Sequence, residues 1–251
     1  QQITNENVRC FLPCPDGTVL VGGGQGLFRF DPQTGGMTRL FEVAENDIVI
    51  SLYRDSQGRT WAGTFLNSYY LVGDDGIRGS RLSTQPNANV GRTMCEDGEG
   101  RLWISTNAGI ALYDGLTHSI ERLLADKHPE LNQHKSIQTL YPDSDGRGFT
   151  ALGLTGIFHY DTHDDKVSTP AWAEELGIQH DNAYCMLRDE RGLLWVGTSQ
   201  GIIVYDTRHK RLLERLTTAK GLNNNNVFSI AATPEGDVWT GTDNGVSRIV
   251  V

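Results

Sequence analysis

Short apolar runs alternate with glycine-centred turns along the whole chain. The clearest copy runs from Arg188 to Asp206. A turn on Asp189 and Gly192 leads into Leu193, Leu194, Trp195, Val196, Gly197 and Thr198. A second turn at Gln200-Gly201 is followed by Ile202, Ile203, Val204, Tyr205 and Asp206. Two such runs joined by a glycine-containing turn predict a β-hairpin. Strand side chains alternate between faces, so Trp195 and Gly197 share one face and Val196 and Thr198 the other. The indole is expected to fill space between stacked sheets, and the glycine to admit a close neighbour.

The hairpin recurs six times. Its turn glycines are Gly17, Gly58, Gly100, Gly146, Gly192 and Gly236, spaced 41, 42, 46, 46 and 44 residues apart. Three residues after each comes Leu20, Trp61, Trp103, Phe149, Trp195 or Trp239. A repeat of this length with four short strands reads as a propeller blade. The chain is therefore all-β: a β-propeller of about six four-stranded blades, closed as one ring or forming part of a larger propeller array. The blades run over about 3–41, 42–84, 85–124, 134–172, 182–217 and 222–251 of a single domain or fragment. Blade 4 departs furthest, with Phe149 aligned to the tryptophan and Ala151-Leu152 to Gly-Thr. In blade 2, Tyr69-Tyr70 stands in the third strand. The insertion from Leu123 to Ser136 reads as a surface loop with one helical turn, and Ala171 to Gly177 as a short helix. The last repeat stops after its third strand, which favours a fragment of a larger array over a ring closed by the few residues before Asn5.

Composition narrows the function. Net charge is −9, against a nucleic-acid binder, which would show a basic patch. No stretch of eighteen apolar residues predicts a membrane span, so direct membrane insertion is not expected. Gln1-Gln2-Ile3 reads like a trimmed start rather than a signal peptide. Of the four cysteines, Cys10 and Cys185 hold equivalent positions in blades 1 and 5. Cys10 and Cys14 on one strand would lie roughly 13 Å apart, beyond disulfide reach. Reduced, buried thiols are expected.

The repeat Gly-Leu-x-x-Asn-x-Val, then Asp-x-x-Gly-x-Leu-Trp-x-Gly-Thr, then Gly-Ile-x-x-Tyr-Asp resembles the two-component regulator propeller repeat. Gly221-Leu222, Asn226-Val227, Gly236, Trp239, Gly241-Thr242 and Asn244-Gly245 carry it closely, as do residues 189–206 and 97–114. The resemblance implies the sensor region of a hybrid two-component system of gut Bacteroidetes, periplasmic, non-catalytic and responsive to an oligosaccharide. It also implies the remainder of a sensor protein, or a second copy of the chain, as partner.

Candidate chemistry is sparse. The tryptophan positions keep strict register, as packing requires. The residues entering each first strand are richer in amides and would ring one rim of a propeller channel, a concave loop-lined place that suits ligands. They include Asn7, Asp47, Asn89, His134, Lys135, Asn182 and Asn226, whose planar amides and charges could meet sugar hydroxyls or bond nearby backbone in turns. Tyr69 and Tyr70, with Trp172, could stack on a sugar or simply pack. Asp16, Asp55, Asp97, Asp145, Asp189 and Glu235 are read as equivalent turn residues rather than a glycosidase pair. No histidine completes a metal set, Asp143-Ser-Asp145-Gly146 lacks an EF-hand's spacing, and no nucleophile elbow or phosphate loop occurs. No cofactor is expected. The competing readings are a glycan-active lyase or glycosidase, a streptogramin lyase, and a protein-binding scaffold.

Overall fold

In a computed structural model of the chain, described over residues 7–43, 45–66, 69–73, 76–80, 92–106, 109–114, 119–134 and 136–250, six antiparallel sheets follow one another in sequence. Blade 1 comprises Val8–Pro13, Val19–Gly23, Gly26–Phe30 and Met37–Phe41. Blade 2 comprises Val49–Arg54, Thr60–Thr64, Tyr69–Gly73 and Gly76–Ser80. Blade 3 comprises Met94–Glu96, Leu102–Thr106, Gly109–Asp114 and Ser119–Leu123. Blade 4 comprises Ile137–Pro142, Gly148–Gly153, Gly156–Asp161 and Lys166–Ser168. Blade 5 comprises Ala183–Arg188, Leu193–Thr198, Gly201–Asp206 and Arg211–Leu216. Blade 6 has Val227–Ala232, Val238–Thr242 and Gly245–Ile249 among the described residues. The insertion after Leu123 forms two 3-10 turns, Leu124–Asp126 and Pro129–Gln133, and a short α-helix spans Ala171–Glu175. Trp172 of that helix packs against the layer between blades 4 and 5.

The sheets fall into two compact units, Gln1–Asn132 and Gln133–Val251. Each is built from apolar layers between successive blades. In the first unit, Val43, Val49 and Ala62 lie between blades 1 and 2, and Trp61, Tyr69, Met94 and Ile104 between blades 2 and 3. In the second, Leu194, Val196, Ile203 and Tyr205 face blade 4. Trp195, Ile202 and Val204 face Val227 and Val238 of blade 6. One face of a twisted sheet cannot bury itself, and the next blade completes the burial.

The glycine beside the tryptophan admits what the alternation predicts. A side chain at Gly197 would collide with Cys185 Sγ and with Val227 of the following blade. Gly22 stands in the same relation to Cys10 and Val49. Cys10 and Cys185 are thus structurally equivalent, their thiols directed at the carbonyls of Val49 and Val227. Burial pushes both thiol pKa values up to about 12. All four cysteines are free, Cys10 and Cys14 being half-buried rather than fully enclosed.

Blade 4 corrects the sequence alignment. In blade 5 the tryptophan pairs across the sheet as Trp195 with Val204. In blade 4 the corresponding pair is Thr150 with His159, while Phe149 pairs with Tyr160 as Leu194 pairs with Tyr205. Phe149 is therefore not the tryptophan equivalent, and Leu152-Gly153, not Ala151-Leu152, holds the Gly-Thr positions. The cause is one extra residue in the turn: Asp143 N–H reaches the carbonyl of Gly148, five residues on, where Asp189 N–H reaches Leu193, four on. A single insertion exchanges the two faces of a strand.

Candidate functional site

The turn that opens each hairpin is held by one carboxylate. Asp55 Oδ1 accepts from the backbone of Gln57 and Arg59, and Oδ2 accepts from Arg59 Nε at 2.5 Å and Trp61 Nε1 at 2.8 Å. Asp97 repeats this with Glu99, Arg101 and Trp103. Asp189 does so with Arg191, Leu193 and Trp195. Burial raises the Asp189 pKa, but the bonds from Arg191, Trp195 and Leu193 outweigh it and hold the carboxyl below its ordinary value. The position three residues before each turn glycine is thus Cys14, Asp55, Asp97, Asp143, Asp189 or Thr233, not the mixed set containing Asp16, Asp145 and Glu235. In blade 4 no indole is available at Thr150. His159 Nε2 takes the vacant oxygen, Asp143 Oδ2, at 2.7 Å, and this bond raises its pKa. In blade 6 Thr233 replaces the aspartate and its Oγ1 is buried with no partner among the described residues. Trp239 there is 42 % exposed, beneath Arg248 at 5.8 Å.

The residues expected at the rim take several roles. In the first unit, Asn7 is exposed. Asp47 is only 1 % exposed, and its Oδ1 accepts from the backbone of Ile48 and Leu66 at 2.8 Å each, so it builds the strand entry. Tyr69, also 1 % exposed, donates its hydroxyl to Ser105 O at 3.0 Å; it is core and offers no stacking surface. Tyr70 packs against Phe41, the rings tilted by 42° with centroids 4.9 Å apart. In the second unit, Asn182 is exposed while its carbonyl accepts from Ser199. Asn226 donates its amide to Asp243 Oδ2 at 2.7 Å. His134 packs on Phe158 and its buried Nδ1 has no partner among the described residues, as is true of nearby Gln179 Oε1. Burial, with a smaller push from His180, lowers the His134 pKa. Asn89 and Lys135 lie outside the described residues.

Two further groupings escaped the sequence reading. Asp161, His163 and Asp164 offer three ligand atoms within 4.8 Å of one another. Their geometry is that of a turn: Asp161 Oδ1 accepts from the backbone of His163 and Asp164, and Arg147 bridges both carboxylates. The second is a cavity of about 490 Å³ between blades 1 and 2, lined by Cys14, Leu20, Arg29, Arg54, Arg59 and Leu71 among others. Its sequence signal is a coincidence of two departures in one repeat, cysteine for the turn aspartate and leucine for the tryptophan.

Among the described residues no helix is long and apolar enough to cross a membrane. Sheet order, layer packing and the repeated turn define a β-propeller. The two component regulator propeller model matches residues 43–65, 84–108, 177–200 and 221–244, so the chain carries this repeat in four places. The chain is similar to the extracellular domain of a hybrid two component system from B. thetaiotaomicron (21% identity, TM-score 0.52, 96% of this chain and 38% of that one). It is also similar to that of a one component system from the same organism (18% identity, TM-score 0.52, 98% and 42%). It thus spans about two fifths of those domains. Virginiamycin B lyase from Staphylococcus aureus superposes with TM-score 0.71 at 14% identity, over 99% of this chain and 86% of the lyase. At these identities the likeness is one of fold. No curated protein matches the sequence.

Proposed function

We propose that the chain is the ligand-binding part of a two-component sensor, that it is non-catalytic, that it works in the periplasm and that it detects an oligosaccharide. The observation that carries this reading is the regulator propeller repeat, matched four times along the chain. Likeness to extracellular sensor domains supports the location. The turn carboxylates support the absence of catalysis: Asp55, Asp97 and Asp189 each spend both oxygens on their own turn. A glycosidase needs two carboxyl groups facing a bond roughly 5–10 Å apart and free to exchange protons. The partner in this reading is the remainder of the sensor or a second copy of the chain.

The test is thermal unfolding against a panel of neutral and acidic oligosaccharides, with each glycan analysed by mass spectrometry afterwards. A ligand at a hundred times its dissociation constant stabilises by about 2.7 kcal/mol. We expect a shift with at least one glycan, recovered intact. Cleavage of the glycan would replace the sensor reading with the lyase or glycosidase one. An unmoved transition across the panel would sink direct sensing.

A further inference from the structure

The cavity between blades 1 and 2 lies where other blades keep an indole and a carboxylate. Leu20 stands at the tryptophan position, opposite Arg29 as Trp195 is opposite Val204. Cys14 stands at the turn-aspartate position. In the layer between blades 5 and 6, Trp195 shares one apolar cluster with Val238 and Ile249. Their counterparts by register are Thr60 and Val72, and both line the cavity. Replacing tryptophan by leucine and aspartate by cysteine opens this space without disturbing the sheet.

Three arginines line it, and their charges are not equally satisfied. Arg29 faces Asp16 Oδ2 at 3.6 Å. Arg59 bonds Asp55 and lies 5.4 Å above the Trp61 ring. Arg54 has no carboxylate partner among the described residues. Its Nη2 donates to Cys14 Sγ at 3.3 Å, and its Nε is buried with no acceptor among the described residues. A guanidinium is always charged and its planar fork fits a carboxylate or sulfate. A buried donor left unmade is costly and calls for an acceptor. The volume is in the range of small-ligand sites, about 300–1,000 Å³. Leu20 and Val72 give the cavity apolar side chains beside the charge.

We propose that this cavity binds a small molecule bearing one oxyanion, a carboxylate or a sulfate, seated on Arg54. The surplus cation calls for an anionic ligand, and the apolar side chains meet its body. The site is independent of the sensor reading and would stand if oligosaccharides bound elsewhere.

Cys14 reports on it directly. Its thiol lines the cavity, whereas Cys95 and Cys185 are buried and Cys10 is turned toward Val49. The full chain would be alkylated with iodoacetamide and Cys14 modification followed by peptide mass spectrometry. The probes are sodium sulfate and sodium glucuronate, each against sodium chloride at matched ionic strength and against glucose. At four times its dissociation constant a bound probe slows alkylation about fivefold. We expect sulfate or glucuronate to protect and chloride and glucose not to; which of the two protects names the oxyanion. Arg54→Gln should abolish protection, while Arg39→Gln, the same charge change in blade 1 outside the cavity lining, should retain it. Equal rates with all four probes in the unaltered chain, a comparison needing no variant, would overturn the proposal. So would protection that survives in Arg54→Gln. A neutral oligosaccharide that stabilises the chain without slowing Cys14 alkylation would keep the sensor reading while this site is judged by its own probes.

Discussion

Single side chains divide the labour of each hairpin, and the turn aspartate carries the largest share. Asp189 satisfies two backbone N–H groups, an arginine and the Trp195 indole. Asp189→Ala would leave the indole N–H and the Leu193 N–H without acceptors and should cost about 2–4 kcal/mol in urea unfolding. Because its folded pKa is depressed, the stability it adds is present above the unfolded carboxylate pKa and is lost as pH falls through the lower folded value. His159 has the opposite sign. Asp143 raises its pKa, so its contribution is full below the ordinary histidine value and fades as pH rises through the raised one. The melting temperature of the unaltered chain minus that of His159→Gln should therefore fall as pH rises above about 6.5. A difference that stays flat or grows would contradict the His159–Asp143 bond. His134, depressed by burial, favours the neutral form and works against this trend, so the comparison must be made on the single variant.

Blades are joined by a knob and a gap. Trp195 is 2 % exposed while Trp239, at the same position of blade 6, is 42 % exposed. Trp195→Ala should cost about 3–5 kcal/mol, the range for a buried tryptophan, and Trp239→Ala less than half as much. The glycines should follow suit. Gly197→Ala drives a methyl into Cys185 and Val227, whereas Gly241→Ala meets only Ser229. The first should destabilise by about 1–3 kcal/mol, as overpacking does, and the second by less, as read from denaturation midpoints. Equal penalties in both pairs would show that the repeat position, and not the neighbouring blade, sets the energy. Blade 4 shows how far an element can drift and still work. With Thr150 in the tryptophan slot, its cross-strand neighbour His159 supplies the donor that Asp143 requires.

At the scale of the chain, the sequence fixes the repeat because packing repeats. The period near 44 residues, the Asp-x-x-Gly turns and the Trp-x-Gly alternation each follow from local backbone rules, and together they specify antiparallel sheets, their order and most strand limits. A net charge of −9 argues against a nucleic-acid partner by the same kind of elementary argument. Three things needed the tertiary structure. The one-residue insertion in blade 4 is invisible to alignment on glycine, because only cross-strand pairing tells which face a side chain takes. The burial of Asp47 and Tyr69 could not be read from residue type, since an aspartate at a strand entry serves solvent or backbone equally well until the neighbouring chain is in place. The cavity at Arg54 arises from Cys14 and Leu20 of one blade and Arg54, Thr60 and Val72 of the next, residues thirty-four or more positions apart. The sequence marks the two departures, but empty space and an unmatched guanidinium exist only once two sheets meet, because they are properties of what fails to touch.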